Sequence, residues 1–292
     1  MNVPLVSVCV VTYNQEEYIT KCLESIVSQE TDFDFEIIIS DDCSTDRTPD
    51  IIKNYANNFS SIKIIQRDKN LGALENFLST HSFATGKYVC HIDGDDYWLP
   101  NKLKIQVAFM EKNPKCNISW HRVKVSYPDK RIVDDLFTKK IINGKYYRKD
   151  ILQYIAIGVN SSKMYRRNTF FYPQVDIPIT DYFLNVEQVG DNYAAFVGNE
   201  ILGVYRAGIG IASDGNKTKI MLSKTFSYFK EKYPDLKSHI VAAALTLFLA
   251  ALKNKRKENM KIFYKHLFSR KILIALFILI KKYSIIKNFK LP

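Results

Sequence analysis

Hydrophobic and polar positions alternate in blocks along the first hundred residues. Val6-Ser7-Val8-Cys9-Val10-Val11 is a β-branched run that stops at Thr12-Tyr13-Asn14. Over Glu16 to Gln29 the apolar residues Tyr18, Ile19, Cys22, Leu23 and Ile26 recur at helical spacing. Phe35-Glu36-Ile37-Ile38-Ile39-Ser40 predicts a second strand ending at Asp41-Asp42, followed by a helix over about Pro49 to Asn58. A third strand, Ile62-Lys63-Ile64-Ile65-Gln66, runs into the turn-rich Asp68-Lys69-Asn70-Leu71-Gly72 and a helix reaching about Ala84. The strand Lys87-Tyr88-Val89-Cys90-His91-Ile92 then delivers Asp93. Strands alternating with helices predict an α/β fold, a mostly parallel sheet flanked by helices. Ligands bind such sheets beyond the carboxyl ends of the strands. Three polar clusters stand there: Thr12-Tyr13-Asn14, Asp41-Asp42 and Asp93-Gly94-Asp95.

Beyond residue 100 the pattern is mixed. An amphipathic helix follows Pro100, carrying Leu103, Val107, Phe109 and Met110, then strands around Cys116–Val125 and a loop-rich stretch through Asp181. From Asn216 the chain reads as helical, with apolar stretches Ile240–Leu252 and Ile272–Ile280. These changes divide it into residues 1–214, with halves 1–100 and 101–214, and a C-terminal helical extension over 215–292. The nine apolar residues Ile272–Ile280 rise only about 14 Å as a helix, short of a hydrocarbon core of about 30 Å, so no spanning segment is expected there. Arg270-Lys271 and Lys281-Lys282 bracket them. Such a helix either lies in a membrane interface, held by anionic lipid, or packs on its own domain or a second copy.

Charge sharpens this division. The chain has 292 residues and a net charge of +12, but residues 215–292 hold 18 Lys and Arg against 3 Asp and Glu, leaving 24 against 27 for the rest. The body is near neutral, whereas a nucleic-acid binder places positive charge on its folded surface. No nucleic-acid partner is expected. Cys9, Cys22, Cys43, Cys90 and Cys116 stand singly, in no C-x-x-C pair, and read as reduced. Met1-Asn2-Val3-Pro4-Leu5 offers no basic region before a long apolar stretch, so a cytoplasmic location is expected.

The densest chemistry lies in His91-Ile92-Asp93-Gly94-Asp95-Asp96-Tyr97-Trp98, three carboxylates in four positions. Carboxylates at i and i+2 of an extended segment point the same way, and Gly94 lets another group come close. Asp93 and Asp95 can then share a hard divalent cation, such as Mg²⁺ bound by one or two carboxylates plus substrate phosphates. The other reading is an acidic turn capping the next helix.

Together these motifs resemble the family 2 glycosyltransferases of the GT-A fold, inverting enzymes that use nucleotide-sugar donors. Val6-Ser7-Val8 through Tyr13-Asn14 is similar to the family's V-S-V-x-x-x-x-Y-N, and Glu36-Ile37-Ile38-Ile39-Ser40-Asp41-Asp42-Cys43-Ser44-Thr45-Asp46 to its E-I-I-x-x-D-D-x-S-x-D. Asn70-Leu71-Gly72 is similar to its N-x-G. Asp93-Gly94-Asp95-Asp96-Tyr97-Trp98-Leu99-Pro100-Asn101-Lys102-Leu103 matches D-x-D-D-x-W-x-P-x-K-L.

The resemblance, over roughly residues 5–210, implies roles. Tyr13 packs on the nucleotide base, Asp42 accepts a hydrogen bond from it, and Thr12, Asn14, Asn76 and Gly94 belong to the donor site. Asp93 touches the ribose or the metal shell, and Asp95 ligates Mg²⁺ or Mn²⁺. Asp46 and Ser44 read as helix caps, Trp98 and Leu103 as core, and His91 and His121 as structural residues. The general base corresponds to Asp181, although Thr180 stands where the family has Glu. Arg206 meets a phosphate or forms a surface salt bridge, and Gly208 replaces the His of a Y-R-x-H pattern.

The implied activity is metal-dependent transfer from a UDP-sugar to a glycan or lipid-linked acceptor. Peripheral contact through the basic tail would place it at the inner face of the plasma membrane. Rival readings are a degenerate sugar-nucleotide-binding protein, suggested by Thr180 and Gly208, and a nucleotidyltransferase. The latter needs a Gly-rich basic loop after the first strand, which Thr12-Tyr13-Asn14-Gln15-Glu16 is not.

Overall fold

The computed structural model describes residues 3–135, 139–208 and 216–286. As the pattern predicts, β1 (Val6–Thr12), β2 (Phe35–Asp41), β3 (Ile62–Ile65) and β4 (Tyr88–Asp93) alternate with α1 (Ile19–Val27), α2 (Thr48–Asn58) and α3 (Ala73–Ser82). α1 begins later than its apolar spacing predicts because Asn14 takes a φ of 50° and the Gln15 carbonyl turns the chain, accepting the Tyr18 and Ile19 amides. Val8, Val10, Ile37, Ile39 and Ile92 meet Ile19, Cys22, Leu23 and Ile26 in one core. Each such Ile or Leu contributes about 1.5–3 kcal/mol on leaving water.

The chain continues through β5 (Tyr97–Trp98), α4 (Lys102–Lys112), β6 (Cys116–Ser126) and β7 (Ile132–Asp134). Then come α5 (Lys139–Ile142), β8 (Lys145–Tyr146) and α6 (Arg148–Tyr154). A 3-10 turn, Asn160–Ser162, leads to β9 (Met164–Arg166), and α7 (Asp181–Gln188) precedes the long β10 (Tyr193–Arg206). The stretch that reads as loop-rich thus holds several elements too short for their period to register.

The sheet runs β3-β2-β1-β4-β9-β6-β10-β5. Its first four strands are mutually parallel, as are β6 and β10, while β9 enters antiparallel to both β4 and β6. The sheet is therefore mixed beyond β4, where the strand–helix–strand rhythm ends and crossover helices no longer enforce parallel pairing.

Two compact units result. The first comprises Met1–Asp135, Gly158–Tyr172 and Asn192–Ala207; the second Leu136–Ile157, Pro173–Asp191 and Gly208–Pro292. A boundary between residues 214 and 215 falls outside the described residues, and the units divide the chain elsewhere. Segments expected in the first domain, Asp181 included, group with the C-terminal helices.

The second unit contains α8 (Lys217–Lys232), α9 (Lys237–Lys253), α10 (Lys257–Tyr264) and α11 (Ile272–Ile286). Tyr182 and Phe183 of α7 stack against Phe226 and Phe229 of α8. Ala275 of α11 packs on Val241 and Ala242 of α9. Nine residues of α11 are too short to span a membrane, but Pro234–Lys253 forms a helical stretch of 20 residues with the length and apolarity of a crossing. Burial inside the protein covers 44% of its apolar window, and Val241, Ala242, Ala243 and Ala244 are fully enclosed.

Candidate active site

Strand register sets three polar ends side by side: Thr12 lies opposite Asp41 and Val11 opposite Asp93. Hydrogen bonds then knit the loops. Asn14 Oδ1 accepts the Thr45 amide and the Asn14 amide donates to Ser44 Oγ, both at 2.8 Å. Asp46, one position before the N-cap, which is Arg47, accepts the Thr48 amide at the head of α2 and the Glu16 amide. Thr12 is buried, its hydroxyl donating to Gln15 Oε1 at 2.7 Å. A Cβ on Gly94 would stand 2.5 Å from that Oε1 and 2.8 Å from Thr12 Oγ1, so only glycine lets the acidic turn seat on β1.

Asp42 is 3% exposed, and its two oxygens accept the Leu71 and Gly72 amides at 2.8 and 2.9 Å. Asn76 is 2% exposed and engages the hydroxyl and carbonyl of Ser40 through both amide atoms. Thr12, Asp42, Asn76 and Gly94 are all buried, and the side chains of Thr12, Asp42 and Asn76 hold the strand-end loops in shape. Asn14 braces one loop against the other. Tyr13 alone of the first cluster projects freely, 47% exposed.

The acidic turn is electrostatically strained. Asp95 is 8% exposed, and burial, then the neighbouring Asp93 charge, push its pKa up to about 6. Asp96 is 2% exposed; burial and the charges of Asp93 and Asp95 drive it well above the carboxylate range. Its Oδ1 accepts the Arg206 amide at 2.8 Å, and its buried Oδ2 has no partner among the described residues. Arg206 stacks its guanidinium over Tyr18 at 4.4 Å, and its buried Nε has no acceptor among the described residues. The expected surface salt bridge is thus not how Arg206 sits.

Asp93 differs, its side chain 41% exposed. Desolvation opposes its ionisation, but His91 and Ser161 outweigh that and hold its pKa below the usual range. Behind it runs a buried chain that sequence reading missed. His91 Nε2 meets Asp93 Oδ1 at 3.2 Å, His91 Nδ1 meets His81 Nε2 at 3.0 Å, and His81 Nδ1 meets the Tyr165 hydroxyl at 2.7 Å. With Asp93 accepting at one end, a chain in which Tyr165 O–H donates to His81, His81 to His91, and His91 to Asp93 satisfies every link. His91 is structural, as expected, and also aims the acid.

No group of three or more His, Cys, Asp and Glu among the described residues forms a ready metal cage. That is compatible with Mg²⁺ or Mn²⁺, hard ions content with one or two carboxylates plus ligand oxygens. Asp93 and Asp95 offer such oxygens, and their mutual repulsion is what a cation would relieve.

In the second unit, Asp181 opens α7 with an exposed side chain. Thr180 is its N-cap, the hydroxyl accepting the Phe183 amide at 3.3 Å, which gives the departure from Glu a local purpose. Gly208 has a φ of +83°, a conformation strained for histidine.

An acidic turn at the carboxyl ends of parallel strands, on a sheet that turns mixed beyond them, is the architecture of GT-A glycosyltransferases. The family model for Glycosyl transferase family 2 matches residues 7–171, and the chain belongs to that family. An uncharacterized glycosyltransferase of Methanocaldococcus jannaschii is 28% identical over 295 residues, 98% of this chain and 93% of that one. At 42% identity the chain spans only 36% of the length of uncharacterized mycobacterial relatives. Staphylococcus aureus TarS 1-349 in complex with UDP superposes with a TM-score of 0.65 at 20% identity, covering 97% of this chain and 88% of that one. The mannosyltransferase PcManGT of Pyrobaculum calidifontis, in complex with GDP-Man and Mn²⁺, gives 0.53 at 15%, covering 98% and 76%.

Proposed function

We propose that this protein is a cytoplasmic inverting glycosyltransferase that moves a sugar from a UDP-sugar to a hydroxyl of a glycan or lipid-linked glycan at the inner face of the membrane. The observation that carries this reading is the acidic turn at the carboxyl end of β4, which sets the buried Asp95 beside Asp93 where the parallel strands end. Asp93 and Asp95 would hold Mg²⁺ or Mn²⁺, which when bound neutralises charge on the departing diphosphate. The UDP and GDP-Man complexes of the fold neighbours, one with Mn²⁺, support a nucleotide-sugar donor.

Tyr13 packs against the base. The Arg206 Nε–H, buried and without an acceptor among the described residues, donates to a phosphate oxygen. Asp181 takes the acceptor's proton as its oxygen bonds to the anomeric carbon and the bond to the diphosphate breaks; the family resemblance and an exposed carboxylate support that role. Thr180 and Gly208 favour one alternative, a degenerate protein that binds the donor without transfer.

A donor panel assayed for released nucleoside diphosphate with Mn²⁺ and Mg²⁺ tests the reading. Slow metal-dependent hydrolysis of one donor is expected, reduced at least about 100-fold by Asp95→Ala. Wild-type rates in that variant would remove the metal role, and binding without any hydrolysis favours the degenerate alternative.

A further inference from the structure

The second unit carries an uncovered apolar surface on α11. Ile272 and Ala275, with Ile278 and Leu279, face α9. The opposite side presents Leu273 at 75% exposure, Phe277 at 65% and Ile280 at 77%, with Leu276 between them. Positions 273, 276, 277 and 280 fall at i, i+3, i+4 and i+7, one continuous stripe. Phe268, 73% exposed just before the helix, stacks edge-on against the exposed Tyr264 and extends the apolar area toward α10. A surface helix normally hides its one apolar face and shows water a polar one. α11 is apolar on both.

Charge identifies the occupant. Residues 237–286 hold 11 Lys and Arg and a single acid, Glu258. Arg270, Lys271 and Lys281 bracket the stripe, all exposed. Arg270 and Lys271 lie at the amino end of a helix, where the backbone dipole is already positive and acidic side chains are preferred. That arrangement is unfavourable alone and favourable beside anions. A second copy docked on the same stripe would bring like charge against like, whereas an anionic bilayer offers hydrocarbon to the stripe and phosphate to the flanks. α11 has 15 residues, about 22 Å as a helix, and one side packed on α9, a length and packing suited to lying along a bilayer interface rather than crossing it.

We propose that α11 and the turn before it form a docking face for anionic membranes, with Phe268, Leu273, Phe277 and Ile280 inserted among acyl chains and Arg270, Lys271 and Lys281 on headgroups. The inference deepens the membrane-facing acceptor proposed above, yet stands on the second unit alone. Its test requires no catalysis.

The full chain is sedimented with vesicles of phosphatidylcholine alone or mixed with phosphatidylglycerol. Binding to the anionic vesicles at least ten-fold tighter, weakened by high salt, is expected. The triple variant Leu273→Ser, Phe277→Ser, Ile280→Ser should lose at least ten-fold in binding. Should it fail to fold, Phe277→Trp provides an independent readout: Trp98 and Trp120 are buried, so the introduced indole should blue-shift only with anionic vesicles. Equal binding to both vesicle types, no binding to either, or a dimer in ultracentrifugation that the serine variant dissolves would overturn the proposal. The last outcome would assign the stripe to a second copy.

Discussion

At Asp95, a carboxylate has been taken out of water beside another negative charge, and no cation among the described residues forms an ion pair with it. Asp95→Asn should therefore leave the metal-free melting temperature unchanged or raise it, because it removes repulsion from Asp93 without removing packing. A drop of several degrees in differential scanning fluorimetry would mean that the charge is already compensated within the fold. The histidine chain behind Asp93 has the opposite character, since each of its members satisfies the next. His81→Phe leaves the Tyr165 hydroxyl and His91 without their partners. It should cost about 1–3 kcal/mol of stability and raise the Mn²⁺ concentration for half-maximal donor hydrolysis about ten-fold, as loss of an orienting neighbour does at metal sites. An unchanged metal dependence would show that the chain only fills space. For Asp181→Asn, turnover should fall at least about 100-fold with donor affinity intact, because a base acts in the chemical step; collapse of donor affinity would reassign that residue.

Among the elements, β2 is anchored by a buried acid. Glu36 accepts from Ser7 at 2.6 Å, Lys63 at 2.7 Å and the Thr85 hydroxyl at 2.6 Å, so three segments meet on one carboxylate. Desolvation raises its pKa, but those hydrogen bonds prevail and lower it to about 2. A depressed carboxylate contributes stability that is present above its unfolded value near 4.5 and lost as pH falls toward 2. Glu36→Gln should thus cost about 1–3 kcal/mol at pH 7 and little at pH 2, as measured by urea unfolding at the two values. An equal loss at both would place the effect in packing alone. The elements of this half were legible because Val6–Val11 and Phe35–Ser40 are β-branched runs ending in polar residues, and their register carries Asp93 to the sheet edge. The internal partners of Asp42 and Asn76 were not. These lie about 30 residues or more away, at Leu71, Gly72 and Ser40, and only the fold brings them together. His81 and Tyr165 are 84 residues apart, with no local signal to join them.

Across the molecule, the acidic turn and the proposed base belong to different compact units, and the second unit is assembled from three separated segments. A cut near residue 214, where composition changes, would leave Tyr182 and Phe183 without Phe226 and Phe229. Truncation after residue 207 should therefore yield a chain that aggregates or melts at least about 5 °C lower. A monomeric fragment as stable as the whole would show that 1–207 is self-sufficient. Composition marks the basic tail, while the interleaved segments of the two units leave no compositional edge in the sequence.

The most direct measurement of the central claim is calorimetric titration of UDP into the full chain with and without Mn²⁺, repeated with Asp95→Asn. UDP should bind at least ten-fold more tightly with Mn²⁺ in the wild type, and that gain should vanish in the variant. Equal affinity with and without the ion, or a gain that survives the substitution, would contradict the assignment of the acidic turn as a cation site for the donor diphosphate.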